Sequence, residues 1–180
     1  KFIFDDAGAL DADRNLTINL TACNDLIEVS AKNSKITSLI LPTKSSLTKL
    51  DLAETNLEVL EVQGTAHLAT SNLRLNRCTR LKELTIKNCP KILISDDMSI
   101  TDKKVKTAFD NLIPHGQLQK LVLENCDGIT KLNLHSSNNL TSLSLKLPSL
   151  LSLSLVNTIS PIFDFAWDSS DYPGLDLNEL

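Results

Sequence analysis

"LTKLDLAETNLEVLEVQGT", Leu47 to Thr65, carries the pattern L-x-x-L-x-φ twice in 19 residues, φ being aliphatic, and the second copy starts ten residues after the first. Alternation at period two puts both aliphatic residues of an L-x-φ pair on one face of a short strand. Such a strand cannot fold alone, but stacked copies bury a continuous core and stabilise one another. Working outward, the pairs are Ile18/Leu20, Val29/Ala31, Leu39/Leu41, Leu50/Leu52, Leu60/Val62, Leu73/Leu75 and Leu84/Ile86. After a break come Leu121/Leu123, Leu132/Leu134, Leu143/Leu145 and Leu153/Leu155. The steps are 11, 10, 11, 10, 13 and 11, then 37, then 11, 11 and 10; a weaker copy at Ile94 splits the long step. The aliphatic residue three before each pair and the residue three after it are further half-buried positions.

The copies fall into two alternating sets. One starts at Ile18, Leu39, Leu60, Leu84, Leu121 and Leu143, the other at Val29, Leu50, Leu73, Ile94, Leu132 and Leu153. This spacing predicts a repeat solenoid with a short parallel β-strand every 10–11 residues and a coil of about 21. A flattened solenoid with strands on both sides is favoured over a horseshoe with one regular sheet.

"LKELTIKNCPKI" (Leu81 to Ile92) and "LQKLVLENCDGI" (Leu118 to Ile129) both read L-x-x-L-x-φ-x-N-C-x-x-I. They resemble the leucine-rich repeat consensus L-x-x-L-x-L-x-x-N/C-x-L. The doubled phase of Leu47–Thr65 is similar to the nested short repeats of bacterial and phage-borne leucine-rich proteins. The resemblance covers about residues 16 to 157 and is a guide to architecture, since the fold hosts many functions. It implies a bacterial surface, secreted or virion setting.

The solenoid is expected over residues 1–159, interrupted at 95–117, with an acidic aromatic segment over 160–180 acting as a cap or docking piece. In the interruption Val105, Ala108, Phe109 and Leu112 make a helical apolar stripe, capped by Thr101 or Asp102 and ended by Pro114 and Gly116, so a helix is expected near 101–113. The 13-residue step with "GTAHLATSN" predicts a bulged turn.

Composition agrees with identical layers. The 180 residues suit one domain; 34 are leucine and only 4% aromatic. The net charge of −4 argues against nucleic acid, which needs a basic stripe. Beyond Lys146 there is no Lys or Arg, while Asp164, Asp168, Asp171, Asp176 and Glu179 follow. No apolar run reaches membrane-spanning length. The start at Lys1 reads as a processed product or an excised piece of a larger chain.

Chemistry-bearing residues are scattered, so the reading is non-enzymatic, with no cofactor or metal expected. His67, His115 and His135 lie far apart in sequence, beside no recognisable carboxylate motif. Five glycines cannot supply a phosphate loop. "DSSD" (Asp168 to Asp171) lacks the glycine and glutamate of a calcium loop. Cys23, Cys78, Cys89 and Cys126 each stand five residues after the start of a pair, where the chain turns inward, so buried free thiols are expected. In "NCD" Cys126 is therefore a core residue rather than a nucleophile. Asn15, Asn19 and Asn139 form N-x-T sequons, which arise easily in this repeat.

The middle residue of each pair is expected to point outward. One column is Asn19, Ile40, Glu61, Thr85, Val122 and Ser144; the other is Ser30, Asp51, Arg74, Asn133 and Ser154. Interface hot spots favour Trp, Tyr and Arg, which singles out Arg74. Candidate partner contacts are Arg74, the interruption's Lys103, Lys104 and Lys106, and the tail's Phe163, Phe165, Trp167 and Tyr172. Phe2 and Phe4, like Phe163, Phe165 and Trp167, also suit terminal caps. The partner is expected to be a protein, a neighbouring subunit or a glycan.

Overall fold

The computed structural model describes residues 1–7, 16–92, 117–134, 138–154 and 164–166. The chain winds as a parallel β-solenoid. Its strands, in order, are Phe2–Ile3 (β1), Leu16–Asn19 (β2), Glu28–Ser30 (β3), Ile36–Ile40 (β4), Lys49–Asp51 (β5), Val59–Gln63 (β6), Leu73–Arg74 (β7), Glu83–Lys87 (β8), Lys120–Glu124 (β9), Lys131–Asn133 (β10), Ser142–Lys146 (β11), Ser152–Ser154 (β12) and Asp164–Ala166 (β13). Helical structure among the described residues is a single 3-10 turn, Thr70–Asn72, within the expected bulge before β7.

Alternate strands go to opposite sides. One side is a seven-stranded sheet ordered β13-β11-β9-β8-β6-β4-β2; the other is a four-stranded sheet β1-β3-β5-β7 and a two-stranded sheet β10-β12. The two-sided coil therefore holds and the one-sheet horseshoe does not. Paired residues stack in columns: Leu39, Leu60, Leu84, Leu121, Leu143 and Phe165 stand side by side. Phe2, Val29, Leu50 and Leu73 match them across the coil. β8 pairs directly with β9, Leu84 opposite Leu121, so the seven-stranded sheet crosses the long interruption unbroken. The expected helix near 101–113 and the weak copy at Ile94 lie outside the described residues.

The interior is one cluster of stacked aliphatic residues, with Leu47 and Leu57, three before their pairs, as buried as the pairs themselves. Fully burying a leucine is worth roughly 1.5–3 kcal/mol, and each layer gains it only when its neighbours are present. Phe2 and Phe4 stack with ring centroids 6.2 Å apart and pack on this core with Leu16 and Ile18, as expected of a first layer.

The turns have their own repeat. After strands of the seven-stranded sheet the chain passes through the left-handed region at Gly64 (φ 65°), Asn88 (φ 54°) and Asn125 (φ 52°). Asparagine tolerates this region better than most side chains, which explains the Asn of the N-C motif. Each of these residues still donates its N–H to the next coil, to the carbonyls of Lys87, Glu124 and Lys146 respectively. Asn125 Nδ2 also donates to Asn88 Oδ1 at 2.9 Å, linking adjacent turns.

Two expectations need correction. Cys78, Cys89 and Cys126 are buried, but Cys23 is exposed. The buried thiols lie against carbonyls of the preceding coil: Cys78 Sγ donates to Leu52 O at 3.0 Å, and Cys126 Sγ to Ile86 O at 3.7 Å. Cys23 follows β2, the outermost strand of its sheet among the described residues, and so has no preceding coil there to cover it. In the outward columns Ser30, Asp51 and Val122 are buried, not exposed. Asp5 accepts a hydrogen bond from Ser30 Oγ, and Arg74 lies over Asp51. Asn19, Ile40, Glu61 and Arg74 are exposed as expected.

Candidate functional site

Arg74 sits on the outer face of β7, one coil beyond Asp51 of β5. Its Nη1 is 3.5 Å from Asp51 Oδ2; the Arg74 side chain is 56% exposed while that of Asp51 is 7% exposed. Asp51 also accepts from the Ala53 N–H at 3.3 Å. A buried carboxylate thus holds a guanidinium whose free side faces solvent. Beside this column, Glu28 bridges Lys1 and Lys49, 2.7 Å from each. Hydrogen bonds from Lys1 and then Lys49 hold the Glu28 carboxyl down to about 2.

The other sequence candidates are not brought to Arg74 within the described residues. Lys103, Lys104, Lys106, Phe163, Trp167 and Tyr172 lie outside them. Phe165 is placed by its backbone alone, in β13 opposite Leu143, so the aromatic segment supplies the last described strand of the seven-stranded sheet. Burial pushes the Cys126 thiol up to about 12, which keeps it neutral near pH 7. His67 is exposed.

Sequence reasoning missed a groove along one corner of the solenoid. It has a volume of ≈ 620 Å³ and is lined by the corner Thr43–Ser46 together with Asn24, Gln63, Gly64 and Asn88. Those residues follow or end β2, β4, β6 and β8, so the groove crosses four neighbouring strands of the seven-stranded sheet.

The groove exists because one corner breaks the pattern. β6/β8, β8/β9 and β9/β11 each pair at five positions, whereas β4 and β6 pair only at Ser38 with Val59 and Leu39 with Leu60. Pro42 removes an N–H just beyond β4. The fifth position after the start of a pair is small and buried at Ser34, Thr55, Thr65, Cys78, Cys89 and Cys126, while Cys23 and Pro148 are exposed there. Ser34 and Thr55 use it to bond back to the carbonyls of Ala31 and Leu52. After Leu39 that position holds Lys44, whose ammonium cannot enter an apolar interior unpaired.

Lys44 is accordingly exposed, and the corner stays open. At the corners of Cys23, Thr65, Cys78, Cys89 and Cys126 the residue three further on donates its N–H back to that position's carbonyl. Leu47 makes no such bond to Lys44, and the backbone N–H groups of Thr43 to Ser46 bond to no described residue. Ser45 Oγ is buried without a partner, the one such side-chain atom among the described residues, at a cost of about 1–3 kcal/mol. Beside this corner, Gly64 cannot carry a side chain, because a Cβ there would collide with the Thr43 carbonyl oxygen.

The one charged group lining the groove is a donor. Lys44 has no ion pair among the described residues, and the lining holds no carboxylate and no aromatic ring. Asn88 Oδ1 is occupied by Asn125, which leaves its NH₂ as the free end of the amide. Among the described residues no group of three or more His, Cys, Asp or Glu is arranged to hold a metal ion, and no helix is long and apolar enough to cross a membrane. Compared with family models, with curated proteins and with solved structures, the chain matches none.

Proposed function

We infer that the chain is a non-enzymatic interaction module on a leucine-rich-repeat-like solenoid, binding a protein or a glycan. The observation that supports this most is Arg74: an exposed guanidinium oriented by the buried Asp51 on a rigid sheet face. Arginine in such a setting offers a planar, pre-ordered set of donors to a partner. The coil adds to this by setting different side chains in columns one strand spacing apart, a surface suited to an extended ligand. The test is a panel of soluble glycans and displayed peptides probed with the chain and with Arg74→Ala. A ligand whose retention falls at least about tenfold in Arg74→Ala supports the reading. Ligands indifferent to Arg74 would contradict the part given to Arg74, and no ligand from either panel would contradict the reading itself.

A second reading makes the chain a structural part of a larger assembly, such as a bacterial surface or phage particle, with the aromatic segment as joint. It is favoured by β13, which extends the seven-stranded sheet with a strand drawn from that segment. Light scattering on the full chain and on a chain ending at Thr158, with circular dichroism as a check on folding, separates the two. A full-length oligomer that becomes a folded monomer on shortening supports the joint; monomers in both support the binding module.

A further inference from the structure

The open corner has the properties of a site for an oxyanion carried on a hydroxyl-rich chain. Its one charged group is Lys44, which has no ion pair among the described residues, in a protein whose net charge is −4. Around it stand the unbonded backbone N–H groups of Thr43 to Ser46 and the hydroxyls of Thr43 and Ser46. The carboxamide residues Asn24, Gln63 and Asn88 line the groove on either side of this corner. Ammonium and N–H groups donate only, so they select acceptors, and the lining has no carboxylate to compete. Carboxamides and hydroxyls both donate and accept, which suits sugar hydroxyls, themselves able to do both. Four adjacent strands at about 4.8 Å spacing make the groove roughly 14 Å long, and a pyranose ring is about as long as one spacing.

Other ligands fit less well. Nucleic acid needs a series of cations, and here there is one. A peptide anchors its aliphatic and aromatic side chains in matching pockets, and no aliphatic or aromatic residue lines this groove.

We propose that this groove binds an acidic oligosaccharide, its carboxylate or other oxyanion at Lys44 and the Thr43–Ser46 amides, its hydroxyls at Asn24, Gln63 and Asn88. The proposal rests on the reading of the chain as a non-enzymatic binding module. The open Thr43–Ser46 corner is what admits the chain, and Gly64 lets the turn after β6 lie close against the Thr43 carbonyl. Isothermal titration of the full chain with hexagalacturonate, neutral maltohexaose and hexaglutamate tests it, alongside Lys44→Gln and, as a control away from the groove, Lys35→Gln.

Hexagalacturonate is expected to bind, maltohexaose and hexaglutamate at least about tenfold more weakly, with Lys44→Gln losing about tenfold and Lys35→Gln nothing. Equal binding of acidic and neutral sugars, equal binding of hexaglutamate, an unaffected Lys44→Gln, or no binding of hexagalacturonate would overturn it. If hexagalacturonate fails while a ligand sensitive to Arg74→Ala is found, the groove proposal falls and the binding module stands. If the groove binds as expected but no Arg74-dependent ligand exists, the reverse holds for Arg74.

Discussion

At Asn125–Ile129 the chain leaves the seven-stranded sheet through an asparagine at φ 52°, buries Cys126, and closes with the Ile129 N–H on the Cys126 carbonyl at 2.9 Å. At Leu41–Leu47 the same step of the repeat has a proline, no left-handed residue, a lysine in place of the buried small side chain, and no closing bond. The layers on either side are alike; Leu39 and Leu121 occupy the same column. The leucine ladder is common to both corners; the difference lies in the turn, where Lys44 stands in place of a buried small side chain.

Breaking the ladder should have the largest effect. Leu84→Ala removes a leucine stacked between Leu60 and Leu121 and should cost about 2–5 kcal/mol in urea unfolding. A loss below 1 kcal/mol, on the order of a surface change, would mean that the layers do not support one another. Next is Gly64→Ala, which puts a Cβ in the left-handed region and against the Thr43 carbonyl. It should destabilise by about 1–3 kcal/mol. Asn88→Gly, at the equivalent turn, should by contrast change little, so equal losses in the two would contradict the packing described at Gly64.

How far all this was legible in the sequence differs between the two corners. The aliphatic pairs revealed the coil and its two sides because the strand period and the core are the same signal. The N-C motif was visible, but its asparagines mark a left-handed turn, which spacing alone does not announce. Phe165 was hidden as a ladder residue because it is aromatic in a column of aliphatic residues, although it stands 22 residues after Leu143. Ser30 and Asp51 looked exposed because their covers, Asp5 and Arg74, come from neighbouring coils. The groove did leave a trace, since Lys44 is the one charged residue in a row of Ser, Thr, Cys and Pro. One polar residue among turns reads as ordinary until its neighbours are known to be buried.

Lys44→Thr should let a hydroxyl bond back to Leu41, seal the corner and add about 0.5–1.5 kcal/mol, while abolishing any groove ligand. A destabilised Lys44→Thr would show that the corner is open for another reason.

The smallest effect should come from the first layers. The Glu28 carboxyl is held at about 2 against an ordinary 4.5, so its contribution is complete above pH 4.5 and is lost as the pH falls towards 2. Thermal unfolding of Glu28→Gln should therefore approach that of the parent at pH 2 and fall below it at pH 6. The same difference at both pH values would contradict the Lys1–Glu28–Lys49 bridge.

Hydrogen exchange resolved to single amides compares the open and sealed corners most directly. The amides of Ser45, Ser46 and Leu47 should exchange quickly in the folded chain, while those of Ile92 and Ile129, bonded to Cys89 and Cys126, stay protected. Equal protection at the three corners would contradict an open corner at Lys44.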